Sequence, residues 1–273
     1  MTQKLFLRKP QRREVFPAKT KEKITRKETR EHLARFNLAC ELVKVIRHFF
    51  PELLSLLKRV EDPRHQSYII YSNHVLLMTR ILSSIFYINS MRSTSGEFND
   101  ETVIENIGAL CGEELRELPY WETINDYLKR FSSDELQKVV CRLVYRLIRS
   151  RAFEDARLRG KYWQIIIDGT QLHRSRKDLG EHSLFCRRKK GTGEEYIEYY
   201  YYVLEAKLVL HEKIQVSILS EFIENEKREV EKQDCEREGA KRLMERLKEE
   251  FPMLPICICG DSLYASEGFF KEC

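Results

Sequence analysis

Between Lys161 and Thr170 the chain reads Lys-Tyr-Trp-Gln-Ile-Ile-Ile-Asp-Gly-Thr, a run that leaves few folds open. Trp163, Ile165, Ile166 and Ile167 are aromatic or β-branched with little polar interruption, which predicts a strand from Tyr162 to Asp168 covered on both faces. Asp168-Gly169 then ends the run in this reading, leaving a buried acid at its tip. Such an acid costs desolvation unless a metal, a base or a turn hydrogen bond answers it. The plain alternative is a turn aspartate, since Asp-Gly is a common turn pair.

A second segment repeats the arrangement. Pro255-Ile-Cys-Ile-Cys-Gly260 is a short apolar run that stops on Asp261, 93 residues after Asp168. That interval has room for hairpin strands and a crossover helix, so both acids can reach one edge of one sheet. Paired carboxylates on rigid strand ends suit a hard divalent cation, with water and phosphate completing its shell.

The charge is unevenly placed. Residues 1–30 hold eleven Lys or Arg, Arg12 and Arg13 among them, against three Glu, so this arm carries +8 of a formal +5 and the remainder is −3. A basic arm on a mildly acidic body predicts a polyanion partner and salt-sensitive binding, or else a solvated tail. The basic start is not followed by an apolar stretch of the signal-peptide kind, and Ser67 to Met91 is interrupted by Asn73, His74, Arg80 and Asn89, so no membrane segment is expected. The eight cysteines are scattered except for Cys257 and Cys259, which share one strand face opposite Ile256 and Ile258. They read as small, reduced side chains of a cytoplasmic protein.

Periodicity near 3.6 predicts helices from Glu28 to Phe50, Leu53 to Val60, along Ser67 to Met91, Asp100 to Leu110, Glu122 to Phe131 and Asp134 to Ser150, the last opened by Ser132 and Glu135. Arg92 to Gly96 reads as a Ser/Thr/Gly loop. After Gly160 the period becomes that of strands. A polar loop carries His173, Arg174, Arg176, Lys177 and the basic run Arg187, Arg188, Lys189 and Lys190. Strands Glu195 to Leu210 and Lys213 to Leu219 follow, then a charged linker from Glu221 to Gln233, a helix capped near Asp234, the strand to Asp261, and a last helix starting near Ser266. The expected organisation is a basic arm (1–27), a helical, DNA-binding domain (28–155) and an α/β domain (156–273). The α/β domain has the opening order of an incomplete ribonuclease H-like mixed sheet.

Several short pieces, taken together, resemble the DDE transposases of bacterial insertion sequences. They are Leu118-Pro119 with Thr123-Ile124-Asn125 and Leu128, Ile167-Asp168-Gly169-Thr170, Asp234-Cys235-Glu236, Ala240 to Leu243, and Gly260-Asp261-Ser262-Leu263-Tyr264-Ala265. The resemblance covers about residues 100 to 273. It implies that Asp168 and Asp261 are the first two acids of a catalytic triad that holds two Mg²⁺ or Mn²⁺ ions. The implied reaction is hydrolysis and strand transfer at element ends and target sites in double-stranded DNA, with a homodimer on DNA as the implied assembly. The family's third acid is a Glu on a helix well beyond the second Asp. Glu267 and Glu272 come too early for it, so the expectation is a core cut short before its third carboxylate and inactive alone. The alternatives are a DNA-binding remnant without chemistry and a ribonuclease H-like nuclease or resolvase.

The basic run Arg187 to Lys190 is a candidate phosphate clamp beside the acids, with simple solvation as the alternative. His173, His182, Cys186 and His211 match no closed zinc spacing. The rings of Tyr196 and Tyr199 to Tyr202 can stack on bases or, more simply, pack both faces of a strand.

Overall fold

The computed structural model describes residues 27, 41–88, 90–96, 98–226, 233–264 and 269. Arg12, Arg13 and the rest of the basic arm up to residue 26 lie outside them, as do Ser266, Glu267 and Glu272. The chain divides into two units, one through Val139 and one from Val140.

The first unit is helical. Its elements are α1 (41–49 of the described residues), α2 (Leu53–Arg59), α3 (Asn73–Ile85), α4 (Met91–Gly96), α5 (Glu101–Cys111), α6 (Trp121–Arg130) and the start of α7 (Ser133–Arg149). Val75, Leu76, Leu77, Met78 and Leu82 bury α3, which packs against α2, α5 and α6. The Asp100 carboxylate accepts from the Thr102 amide at 2.9 Å to start α5, and Gly112, at φ 73°, ends it.

Two local features depart from the sequence expectation. The apolar stretch toward Met91 does not form one helix, because α3 closes at Ile85. The Tyr87 amide donates to Ser84 O and the Ile88 amide to Ser83 O, with Tyr87 at φ 59° in the left-handed place glycine usually takes. Residues 91–96 then form a helix rather than a loop. The Ser90 hydroxyl accepts from the Ser93 amide at 3.0 Å, so a Ser/Thr-rich stretch that competes with helix in its interior here starts one.

The second unit is mixed α/β around a five-stranded mixed sheet: β1 (Trp163–Ser175), β2 (Leu184–Arg188), β3 (Tyr196–His211), β4 (Ile214–Ile223) and β5 (Ile256–Cys259), with α8 (Glu236–Glu250) between the last two. β3 pairs antiparallel with β1, β2 and β4, while β5 pairs parallel with β1. β1 occupies one edge of β3 from Tyr199 to Leu208, so β2 (on Tyr196 to Tyr200) and β4 (from Tyr202) must share the other edge end to end. Tyr201 falls at the seam, level with a register shift in β1 between Gln171 and His173.

Alternation sends Trp163, Ile165 and Ile167 of β1 into the core with Leu204, Ala206, Leu208 and Leu210 of β3. Ala240, Leu243, Met244, Leu247 and Phe251 of α8 join the same cluster, as do Cys141, Val144 and Ile148 from the later turns of α7. Each fully buried Ile or Leu contributes about 1.5–3 kcal/mol. An ion network ties α8 to β4: Arg242 Nε donates to Glu221 at 2.5 Å, Arg242 Nη2 to Asp234 at 2.7 Å, and Arg246 Nη1 to Glu221 at 2.9 Å.

The sheet corrects the strand expectations in two places. β1 does not stop at Asp168-Gly169 but runs on to Ser175, because Gln171, His173 and Arg174 alternate in a ladder with Tyr199 to Tyr202. Leu184 to Arg188, expected as loop, is a strand on the edge of β3. Glu221 belongs to β4 rather than to a linker.

Candidate functional site

Asp168 sits within β1, opposite Glu205 of β3, and is exposed rather than buried. The two-residue period accounts for this: Ile165 and Ile167 turn to the core, so Asp168 shares the opposite face with Gln164 and Ile166. One of its oxygens accepts from the Gly169 amide at 2.9 Å.

The parallel ladder between β1 and β5 begins with the Trp163 amide donating to Pro255 O at 2.8 Å and ends at the pair Ile166 and Cys259. Asp168 and Asp261 each lie two residues beyond that last pair. The parallel direction of the two strands brings both acids to the same end of that ladder. Both are exposed, and both act electrostatically on the same phenol, that of Tyr202.

Behind the acids stands a polar knot that the sequence reading did not single out. Glu236, in the first turn of α8, accepts from the Tyr202 hydroxyl at 2.9 Å on one oxygen and from the Tyr264 hydroxyl on the other. Burial and then the Glu236 carboxylate push the Tyr202 phenol up to about 12, and the same causes in the same order raise that of Tyr264. Each ring covers the glycine beside one acid. A methyl built on Gly169 would lie 2.3 Å from the Tyr202 hydroxyl, and one on Gly260 would lie 2.7 Å from Cδ2 of Tyr264. The available signals were Tyr264, three residues after Asp261, and Glu236 in Asp-Cys-Glu. A groove of about 730 Å³ opens beside Asp261, lined by Ile256, Ile258, Tyr264, Leu247 and Phe251 among others.

Glu205, the cross-strand neighbour of Asp168, is engaged by Lys207 at 2.9 Å. Among the described residues no group of three or more His, Cys, Asp or Glu is placed to hold a metal ion. Asp168 and Asp261 are the exposed carboxylates that follow the paired segments of β1 and β5.

The basic run is not beside the acids. Arg187 pairs with Ile197 and Asp168 with Glu205, eight residues apart along β3, or roughly 26 Å at about 3.3 Å per residue. Arg188 is paired with Glu198 at 2.9 Å and Lys189 with Glu194. Arg187 and Lys190 are exposed. His173 and His211 lie ten residues apart in β3 register, and His182 Nδ1 meets Asn225 O at 2.9 Å. The tyrosines of β3 pack within the fold: Tyr199 meets the Phe185 ring at 6.4 Å, and the Tyr201 hydroxyl donates to Leu179 O at 2.5 Å.

Among the described residues no helix is long and apolar enough to cross a membrane. Comparisons with family models, with curated proteins and with solved structures found no match to this chain.

Proposed function

We propose that this chain is of the DDE transposase lineage, with its second unit a ribonuclease H-like domain that acts on phosphodiesters of double-stranded DNA. The observation that carries the reading is the parallel pairing of β1 with β5, beyond whose last pair Asp168 and Asp261 each follow by two residues. Support also comes from the path β4-β3-β1-β5, an antiparallel hairpin followed by a parallel return strand through a crossover helix.

The donor set suits Mg²⁺ or Mn²⁺. Magnesium is commonly held by one or two carboxylates plus substrate phosphates and water, and Asp168 and Asp261 offer that number on rigid elements. When bound, such an ion supplies charge neutralisation at phosphorus and activation of a water or 3′-hydroxyl nucleophile. Asp168 and Asp261 orient it, Lys207 keeps Glu205 occupied, and Arg187 and Lys190 hold the DNA backbone at a distance from the acids. Because the described residues group no third carboxylate with these two, the expected activity of this chain is cation and DNA binding rather than strand cleavage.

The test is Mn²⁺ binding by electron paramagnetic resonance, with duplex DNA affinity measured with and without Mg²⁺. Binding of Mn²⁺ that disappears in Asp168→Asn and in Asp261→Asn, with Mg²⁺ strengthening DNA binding, supports the reading. The short carboxylate set equally motivates a second one, a DNA-binding protein without chemistry. DNA binding that is salt-sensitive, indifferent to Mg²⁺ and unchanged by Asp168→Asn would select it.

A further inference from the structure

We propose that Glu236, with Tyr202 and Tyr264, is a clamp that fixes the spacing of Asp168 and Asp261, so that cation affinity at the pair depends on three residues that do not touch the ion. This rests on the reading of Asp168 and Asp261 as a cation-binding pair.

The two acids are carried by different strands, and the ladder joining those strands stops at Ile166 and Cys259, short of both. Beyond that point main-chain hydrogen bonds no longer set the gap. The knot bridges it instead. Tyr202 projects from β3 and lies over Gly169, the residue next to Asp168, so close that only glycine leaves room for its ring. Tyr264 sits in the single turn after β5 and lies in the same way over Gly260, the residue before Asp261. Its amide also donates to Asp261 O at 3.3 Å, so ring and acid move together.

Both hydroxyls end on Glu236, one per carboxylate oxygen. Glu236 is itself fixed by α8, whose Gly239, one turn on, is packed so tightly that a methyl there would meet Ile223 Cδ1 at 2.3 Å. The path from Gly169 to Tyr202, Glu236, Tyr264 and Gly260 therefore runs from the glycine that follows one acid to the glycine that precedes the other. A carboxylate is the group this job needs, because it alone offers two charge-assisted acceptors to two phenols at once. Outer partners that orient a metal's ligands are worth roughly ten- to hundredfold in metal affinity, and here the support would reach the acids through the backbone of their neighbouring glycines.

The experiment measures Mn²⁺ affinity by electron paramagnetic resonance on the full chain, with thermal melts in parallel. The decisive variant is Tyr202→Phe with Tyr264→Phe, which keeps both rings over their glycines and the Glu236 charge in place while removing both hydrogen bonds. The clamp predicts Mn²⁺ binding weakened roughly ten- to hundredfold. Glu236→Ala should weaken it at least as much, and Glu236→Gln, with one acceptor oxygen left, should recover part of the loss. Amide hydrogen exchange at Gly169 and Asp261 should quicken in the same variants without any metal.

Unchanged Mn²⁺ affinity in the double Phe variant overturns the clamp, even if the melting temperature falls, since that is what packing alone would do. Loss on Glu236→Ala but none in the double Phe variant also overturns it, leaving only the field of the Glu236 charge. Mn²⁺ binding by the unaltered chain that survives Asp168→Asn overturns the underlying pair, and the clamp with it.

Discussion

Gly169→Ala should destabilise the second unit, although the backbone alone argues the opposite. Gly169 is not among the glycines with positive φ. Replacing such a strand glycine with alanine would ordinarily stabilise by about 0.4–1 kcal/mol through the unfolded chain. Against this, the new methyl would stand 2.3 Å from the Tyr202 hydroxyl, 2.6 Å from Cε1 and 2.8 Å from Cζ. The ring must swing away, an overpacking cost of about 1–3 kcal/mol. Swinging away also breaks the bond to Glu236, worth about 1.5–3 kcal/mol for a hydrogen bond to a charged group. The net is a loss of about 2–5 kcal/mol, or roughly 5–15 °C in Tm for a domain of this size. Thermal melts followed by circular dichroism would measure it, alone and in a Tyr202→Leu background. Without the ring, Gly169→Ala should become neutral or stabilising, giving a coupling energy of about 2 kcal/mol or more. An alanine variant that melts no lower than the parent, or a penalty of equal size in both backgrounds, would refute the argument.

Ile165 is fully buried in register with Leu208, and Ile165→Ala should cost about 2–5 kcal/mol by urea denaturation; under about 1 kcal/mol would mean that β1 is not central. His74, 6% exposed, has its pKa lowered by burial, a shift that Lys58 reinforces and Glu113, at 2.9 Å, opposes. The unfolded ring takes up its proton near about 6.5 while the folded one resists, so stability of the first unit should fall as pH drops below that value and level off past the lower folded pKa. In His74→Phe, urea midpoints at pH 7.5 and 5.5 should lie closer together than in the parent, and an equal gap would contradict this. For DNA binding, Arg187→Ala with Lys190→Ala should reduce the salt slope by about 2, whereas Arg188→Ala with Lys189→Ala, whose cations already face Glu198 and Glu194, should change it less.

Much of the second unit is legible in the sequence because its apolar runs are dense. The alternation from Tyr196 to His211, the short Pro-led run to Cys259 and the amphipathic α8 each point to one kind of element. The errors fall where pairing partners, rather than composition, decide. Leu184 to Arg188 is a strand because β3 offers it an edge, and its arginines disguise it as loop. Beyond Asp168, β1 continues through polar residues for the same reason. Ile166 makes the run read as a strand covered on both faces and its acid as buried, yet Gln164 and Asp168 mark an open face. Both acids stand out in the sequence because each follows a dense apolar run, although β1 continues seven residues past Asp168. Glu236 is visible in Asp-Cys-Glu, but its role is not, since its partners lie 34 and 28 residues away and only the fold brings Tyr202 and Tyr264 to it.

The end-to-end placement of β2 and β4 along β3 has a mechanical consequence. At Tyr201 one partner strand stops and the other starts, and at the same level β1 carries its irregularity beside the exposed Leu172. Bulges bend a strand and add twist, so the sheet has a crease there, crossed by continuous main chain only in β1 and β3. Bending concentrated on that line would re-aim the arginine-bearing β2–β3 hairpin relative to the core-facing stretch of β1 that holds Ile165 and Ile167, so that one end of the sheet yields while the other stays rigid.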